Sequence, residues 1–128
     1  TLVRKLAEDF DEVWVLPVYS HAFAEKDGEL AAYEHRHRMC VLAFVHSDGD
    51  GRYIEDPAMR PTNIHVLHAE REVAERARRR GIARHGSALV LREIARRNRG
   101  RDVKFTWVMG EDAYADLRGG KWIDGDAF

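Results

Sequence analysis

Cysteine is almost missing from this chain. Cys40 is the single one in 128 residues, so no internal disulfide can form, and a reducing, cytoplasmic compartment is expected. Long apolar runs are missing as well. The longest, such as Val13–Val18, are strand-sized and fall far short of the ~20 residues a membrane helix needs, so no membrane partner is expected. Neither sign of charge dominates. With 21 Lys and Arg against 22 Asp and Glu, the net charge of −1 gives no field towards nucleic acid. There is no GxxxxGK phosphate loop, no GxSxG elbow, no paired-cysteine zinc motif and no internal repeat. What remains is an ordinary globular mix, 45% hydrophobic and 34% charged, that suits one domain over residues 1–128 with its own core.

Periodicity gives the order of elements. Leu2, Val3, Leu6 and Phe10 form one helical stripe that starts at once, without a Ser, Asp or Asn cap ahead of it. The chain also ends abruptly at Phe128, and together these features suggest an excerpt of a longer protein. Val13-Trp14-Val15-Leu16-Pro17-Val18 reads as a strand buried on both faces, with Pro17 at its end. Ala32 to Val45 carries Met39, Cys40, Leu42, Ala43 and Phe44 at helical spacing. After a turn-rich loop, Asn63–Leu67 reads as a short strand. Ala69–Arg80 reads as a charged helix, with Glu72/Arg76 and Glu75/Arg79 pairs, that stops at Gly81. Ser87 is expected to cap the next helix, which Gly100 ends, and Val103–Met109 reads as the last strand. Alternating helices and strands predict an α/β fold with a mostly parallel sheet.

In such a sheet ligands bind beyond the carboxyl ends of the strands. That singles out Tyr19-Ser20-His21 after the first strand, the loop after Leu67, and Gly110-Glu111-Asp112 after the third. Gly86-Ser87 adds free N–H groups at a helix start. Each also has an ordinary role. Ser87 serves as a cap, Glu111 and Asp112 favour a first helical turn, His21 is a solvated loop histidine, and Cys40 is an inert core thiol. His35 and His37, two apart on a helix, face opposite sides and make a poor metal site. The arginines Arg76, Arg78, Arg79, Arg80 and Arg84 could contact phosphates, but with glutamates earlier on the same helix and a near-neutral total they read as a solvated face.

Three blocks, in order, resemble one family. Val13–Val18 with His21 and Phe23 is similar to the second strand and following loop of the nicotinate/nicotinamide mononucleotide adenylyltransferases. Tyr33-Glu34-His35-Arg36 leading into Met39–Ala43 resembles that family's next helix. Val108-Met109-Gly110-Glu111-Asp112, then Lys121-Trp122, resembles its G-x-D turn and following tryptophan. Gly86-Ser87 matches the helix start between them.

The resemblance implies a Rossmann-like nucleotidylyltransferase domain, incomplete as given. The activity it implies is adenylyl transfer from ATP to a pyridine mononucleotide, with Mg²⁺. By the same likeness, Ser87 and Trp122 would hold the pyridine ring, Gly110 and Asp112 would lie beside the nucleotide, and Arg36 and His21 would lie near the enclosing loops. The family's H-x-G-H and S-T-x-I-R segments are not in this sequence, so a non-catalytic nucleotide-binding domain of the same fold is the alternative. The sequence is compatible with a homo-oligomer and does not decide nicotinate against nicotinamide.

Overall fold

Helix α1 (Leu2–Asp9) does have a cap. The Thr1 hydroxyl accepts from the Arg4 N–H at 3.3 Å, offering the same oxygen that a serine would. This computed structural model describes residues 1–20, 30–82 and 85–125. They fall into two units, Thr1–Arg71 and Glu72–Phe128.

In the first unit, strand β1 (Val13–Val15) pairs in parallel with β2 (Ile64–Val66), setting Val13 opposite Ile64 and Val15 opposite Val66. Asn63 fixes the helix below this pair, its amide donating to the Ala7 carbonyl at 2.8 Å, one of the acceptors a helix end leaves open. Between the strands lies α2 (Tyr33–Cys40), which runs on into a π-helical turn, Val41–Val45, closed by His46 N–H on Val41 O at 3.0 Å. Among the unit's described residues Ile64, Ala69, Tyr33 and Pro17 are buried apolar side chains.

Several expectations are corrected here. The apolar set from Met39 to Phe44 does not form one buried stripe. Met39, in the last turn of α2, is 63% exposed, and Leu42, in the π turn, is 39% exposed. β1 is half-buried rather than buried on both faces, because a two-stranded sheet consists of two edges. Pro17 lies beyond the ladder, as expected, and is buried. Val103–Met109 is not a strand. The described residues contain only the β1–β2 sheet, and apolar, β-prone composition makes no strand without a ladder to join. The parallel pair agrees with an α/β fold of mixed helices and strands. No helix among the described residues is long and apolar enough to cross a membrane.

The second unit holds α4 (Ser87–Arg97), α5 (Glu111–Arg118) and most of α3 (Ala69–Arg79). α3 ends as its glycine predicts. Gly81 is left-handed (φ 75°), Ile82 N–H reaches Ala77 O at 2.9 Å, and Gly81 N–H reaches Arg78 O at 3.0 Å. Val73, Ala74, Ala77, Ala88, Val90 and Ile94 form the core. Glu72 and Arg76 do not pair with each other. Glu72 takes Arg97 at 2.6 Å and Arg76 takes Glu93 at 3.0 Å, so their charges join α3 to α4.

Glu93 is the only acidic residue between Arg76 and Arg101. Arg96 at 2.8 Å, Arg97 at 2.9 Å and Arg76 surround its carboxylate and hold it well below the usual carboxylate range. The guanidiniums cover it, rather than depth in the core, since Arg76 and Arg96 are themselves 41% and 56% exposed. Solvent screening therefore limits the contribution to ~1–2 kcal/mol. Glu93→Gln should lower the unfolding free energy by about that much at neutral pH. A carboxyl held low in the fold stabilises above its unfolded value and loses that contribution on acidification. Denaturant unfolding should thus show the wild-type advantage shrinking as pH falls below about 4.5.

Candidate functional site

β1 and β2 run the same way, so the residues leaving both strands emerge together at their carboxyl ends. From β1 come Val18 and Tyr19, from β2 comes His68, and the first turn of α2 brings Tyr33. The Tyr33 hydroxyl lies 3.1 Å from His68 Nδ1. The Tyr19 ring meets Tyr33 edge-on, with centroids 5.1 Å apart. His37 and His68 stack at 3.8 Å with their planes 12° apart, and His37 Nε2 lies 3.3 Å from Val66 O. The guanidiniums of Arg36 and Arg71 each sit 5.6 Å from the Tyr33 ring centre, and Arg71 also pairs with Glu34 at 2.6 Å. Burial pushes the Tyr33 phenol up to about 12, so it stays protonated at any physiological pH.

Glu70, in the first turn of α3, faces inward and is 7% exposed. Burial pushes its carboxyl up to about 7, against the opposing effect of a hydrogen bond accepted from the Tyr19 backbone. Arg36 takes the opposite role on the same stretch of chain. It donates to the carbonyls of Val18, Tyr19 (3.2 Å) and Ala31 (2.8 Å), joining the two ends of the segment between β1 and α2. Burial also raises the Cys40 thiol, as suits an inert cysteine.

The second unit gathers a different set. Gly86, not Ser87, caps α4 (φ −99°, ψ 169°), and no side chain bonds to that helix start. The Ser87 cap is thus corrected, and the reason is steric. A Cβ on Gly86 would lie 2.7 Å from the Ile123 carbonyl oxygen, so glycine is needed for the backbone approach. That approach brings the turn Trp122–Gly125 against the start of α4, near Ser87. The turn also packs on α5, since a Cβ on Gly125 would meet Leu117 Cδ1 at 3.2 Å. Asp124 within it is left-handed (φ 54°), the one such non-glycine among the described residues. At the start of α5, Asp112 is exposed and its Oδ1 folds over Gly110, where a Cβ would come within 2.7 Å.

The fold therefore brings Gly86 against Ile123, the chain neighbours of Ser87 and Trp122, and sets Gly110 and Asp112 at one helix start. It uses Arg36 on backbone carbonyls, and His21 lies outside the described residues. The sequence reading pointed to the loop after Leu67 without naming a residue there. It missed Tyr33, His37 and His68 as a cluster, and Glu70 altogether. His68 directly after a strand and an acid in the following first turn were the signals present. Among the described residues no three His, Cys, Asp or Glu converge as a metal site.

Glu70 gives a stability that depends on pH. A carboxyl whose value is raised in the fold stabilises at low pH and loses that contribution as pH rises through its folded value. The displacement from 4.5 to about 7 corresponds to at most ~3 kcal/mol. Glu70→Gln does not titrate. Its stability relative to the wild type, measured by denaturant unfolding, should increase between about pH 5 and about pH 8 by up to that amount. A gap independent of pH would count against a displaced Glu70.

No family model, curated protein or solved structure matches this chain, and the reading of its site rests on its own residues.

Proposed function

We propose that the chain is a nucleotidylyltransferase domain of Rossmann-like fold that transfers the adenylyl group of ATP to nicotinate or nicotinamide mononucleotide. In the reaction a phosphate oxygen of the mononucleotide attacks the α-phosphorus of ATP. The bond to the β-phosphate oxygen breaks, and dinucleotide and pyrophosphate leave. No covalent intermediate with the protein is needed, so catalysis reduces to positioning two phosphorylated substrates and neutralising charge.

The observation that carries the reading is the close approach of Gly86 to Ile123. It joins free N–H groups at a helix start, able to meet a carboxylate or amide oxygen, to a turn that bears an indole. A planar ring with one polar substituent is the ligand such a pair suits, and a pyridine mononucleotide has one. Asp112 at the start of α5 supplies a carboxylate for the nucleotide side. With no cage of three ligands among the described residues, Mg²⁺ enters as the ATP complex, which asks for only one or two protein carboxylates.

The test is calorimetric titration of ATP and mononucleotide into the natural protein, beside an assay of pyrophosphate release. Binding with turnover supports the reading, whereas binding without turnover indicates a non-catalytic nucleotide-binding domain. Trp122→Ala should raise the KM for mononucleotide by roughly tenfold, with less effect on ATP, because ring stacking contributes ~0.5–1.5 kcal/mol. Trp122→Phe should recover part of the loss. Gly86→Ala, which must displace the Ile123 carbonyl, should reproduce the Trp122→Ala pattern with the tryptophan still present. Equal losses for both substrates with a lowered Tm would reduce Trp122 to a clamp on the chain end. Asp112→Ala should weaken ATP use and leave the Tm unchanged.

A further inference from the structure

We propose that the seam between α3 and α4 is a binding surface for the phosphodiester backbone of a nucleic acid. The inference goes beyond the nucleotidyl-transfer reading and does not depend on it.

The near-neutral total conceals a separation of charge along the chain. Residues 1–71 hold 8 Lys and Arg against 13 Asp and Glu, whereas residues 72–128 hold 13 against 9. Within the second unit the excess is concentrated. From Arg76 to Arg101 there are ten arginines, no lysine and a single acid, Glu93. A solvated face needs only charge, which lysine supplies equally well. Arginine differs in its planar fork, which meets two phosphate oxygens at once.

The fold lays six of these arginines along one line. Glu72 pairs with Arg97 and Arg76 with Glu93, so α3 and α4 run antiparallel with those four residues along the seam. Arg76, Arg79 and Arg80 follow Glu72 at spacings of four, seven and eight, the period of one helical edge. Arg80 stands in the turn that closes α3, its N–H on the Ala77 carbonyl at 3.0 Å. On the α4 side Arg92 and Arg96, four apart, flank Glu93, and Arg96 reaches it at 2.8 Å. Six arginines thus border the seam against two glutamates. All but Arg76 are exposed, and Arg79 and Arg80 meet no carboxylate among the described residues.

The two glutamates orient this surface without neutralising it. Arg96 uses Nε and Nη2 on Glu93, and Arg97 uses Nε on Glu93 and Nη2 on Glu72, which fixes both forks. A guanidinium has five N–H donors, so each keeps others for a phosphate, and a fixed fork loses less freedom on binding. An anionic membrane would ask in addition for apolar side chains that enter the acyl boundary. No large hydrophobic of α3 or α4 is exposed, and Val73, Ala77, Val90 and Ile94 are buried in the core.

Fluorescence anisotropy of a labelled DNA duplex of about 20 base pairs, titrated with the protein between about 50 and about 200 mM KCl, reads the surface. The logarithm of the association constant should fall linearly with that of salt, with a slope of about −3 to −4 for about four net contacts. Arg79→Gln with Arg80→Gln removes two cations that no carboxylate holds. In that variant the slope should become shallower by about two, and affinity near 50 mM salt should fall roughly tenfold or more. Arg38→Gln with Arg52→Gln changes two exposed arginines of the first unit, alters net charge equally, and should leave both quantities unmoved. Absence of salt-dependent binding by the wild type overturns the proposal, and so does an equal loss in the two double variants. Should the first double variant fail to fold, Arg79→Gln alone should reduce the slope by about one, and an unchanged slope overturns the proposal equally. Binding to phosphatidylserine vesicles without binding to the duplex overturns it in favour of a membrane. Salt-sensitive self-association in sedimentation, again without duplex binding, overturns it in favour of the acidic first unit of a second copy.

Discussion

Two hydrogen bonds fix the direction on which the first candidate face depends: Val13 N–H on the Asn63 carbonyl at 2.8 Å, and Leu67 N–H on the Val15 carbonyl at 2.9 Å. They bracket a parallel ladder, so both chains leave the sheet at the same end. In an antiparallel pair Tyr19 and His68 would lie at opposite ends of the strands. A parallel pair also forces a long crossover, and the crossover here contains α2. Tyr33, Arg36 and His37 thus arrive at the exits of β1 and β2 for the same topological reason that His68 does. The ring cluster and the Arg36 bonds to the Val18 and Tyr19 carbonyls both follow from strand direction.

Two glutamates show how far surroundings, rather than residue type, decide charge. Glu93 and Glu70 are both largely covered, at 8% and 7% exposed. Three guanidiniums hold Glu93 ionised through any physiological pH, and the two helices it joins gain from that. For Glu70 burial is the larger effect, and a backbone donor offsets only part of it. A fold optimised for stability alone would favour an amide or an apolar side chain there. A carboxylate there instead has an ionised form that costs stability.

Local signals in the sequence were legible where chemistry and conformation coincide. Gly81 ends α3 in a left-handed turn because nothing but glycine enters that region freely, and its position was readable. The first two strands were readable from their β-branched runs, though both ladders are shorter than those runs. Val103–Met109 failed because a strand is a relationship between segments, while composition describes one segment alone. The capping serine failed for a related reason. Ser87 follows a glycine that the approach of Ile123, thirty-seven positions downstream, requires at the cap. The Tyr33–His37–His68 cluster was illegible because the pairing that assembles it joins residues some fifty positions apart.

The same distinction bears on function. A resemblance carried by short blocks fixes residue types, but it does not establish that those residues meet. Ser87 and Trp122 lie far apart in the chain, and either alone has an ordinary structural role. The Gly86–Ile123 approach brings their chain neighbours together, beside a turn that holds a left-handed aspartate. Such departures from unstrained backbone persist where surrounding contacts demand them, and they gather at binding sites more than elsewhere. In the second unit it is the backbone that is fixed, by a glycine with no room for a Cβ.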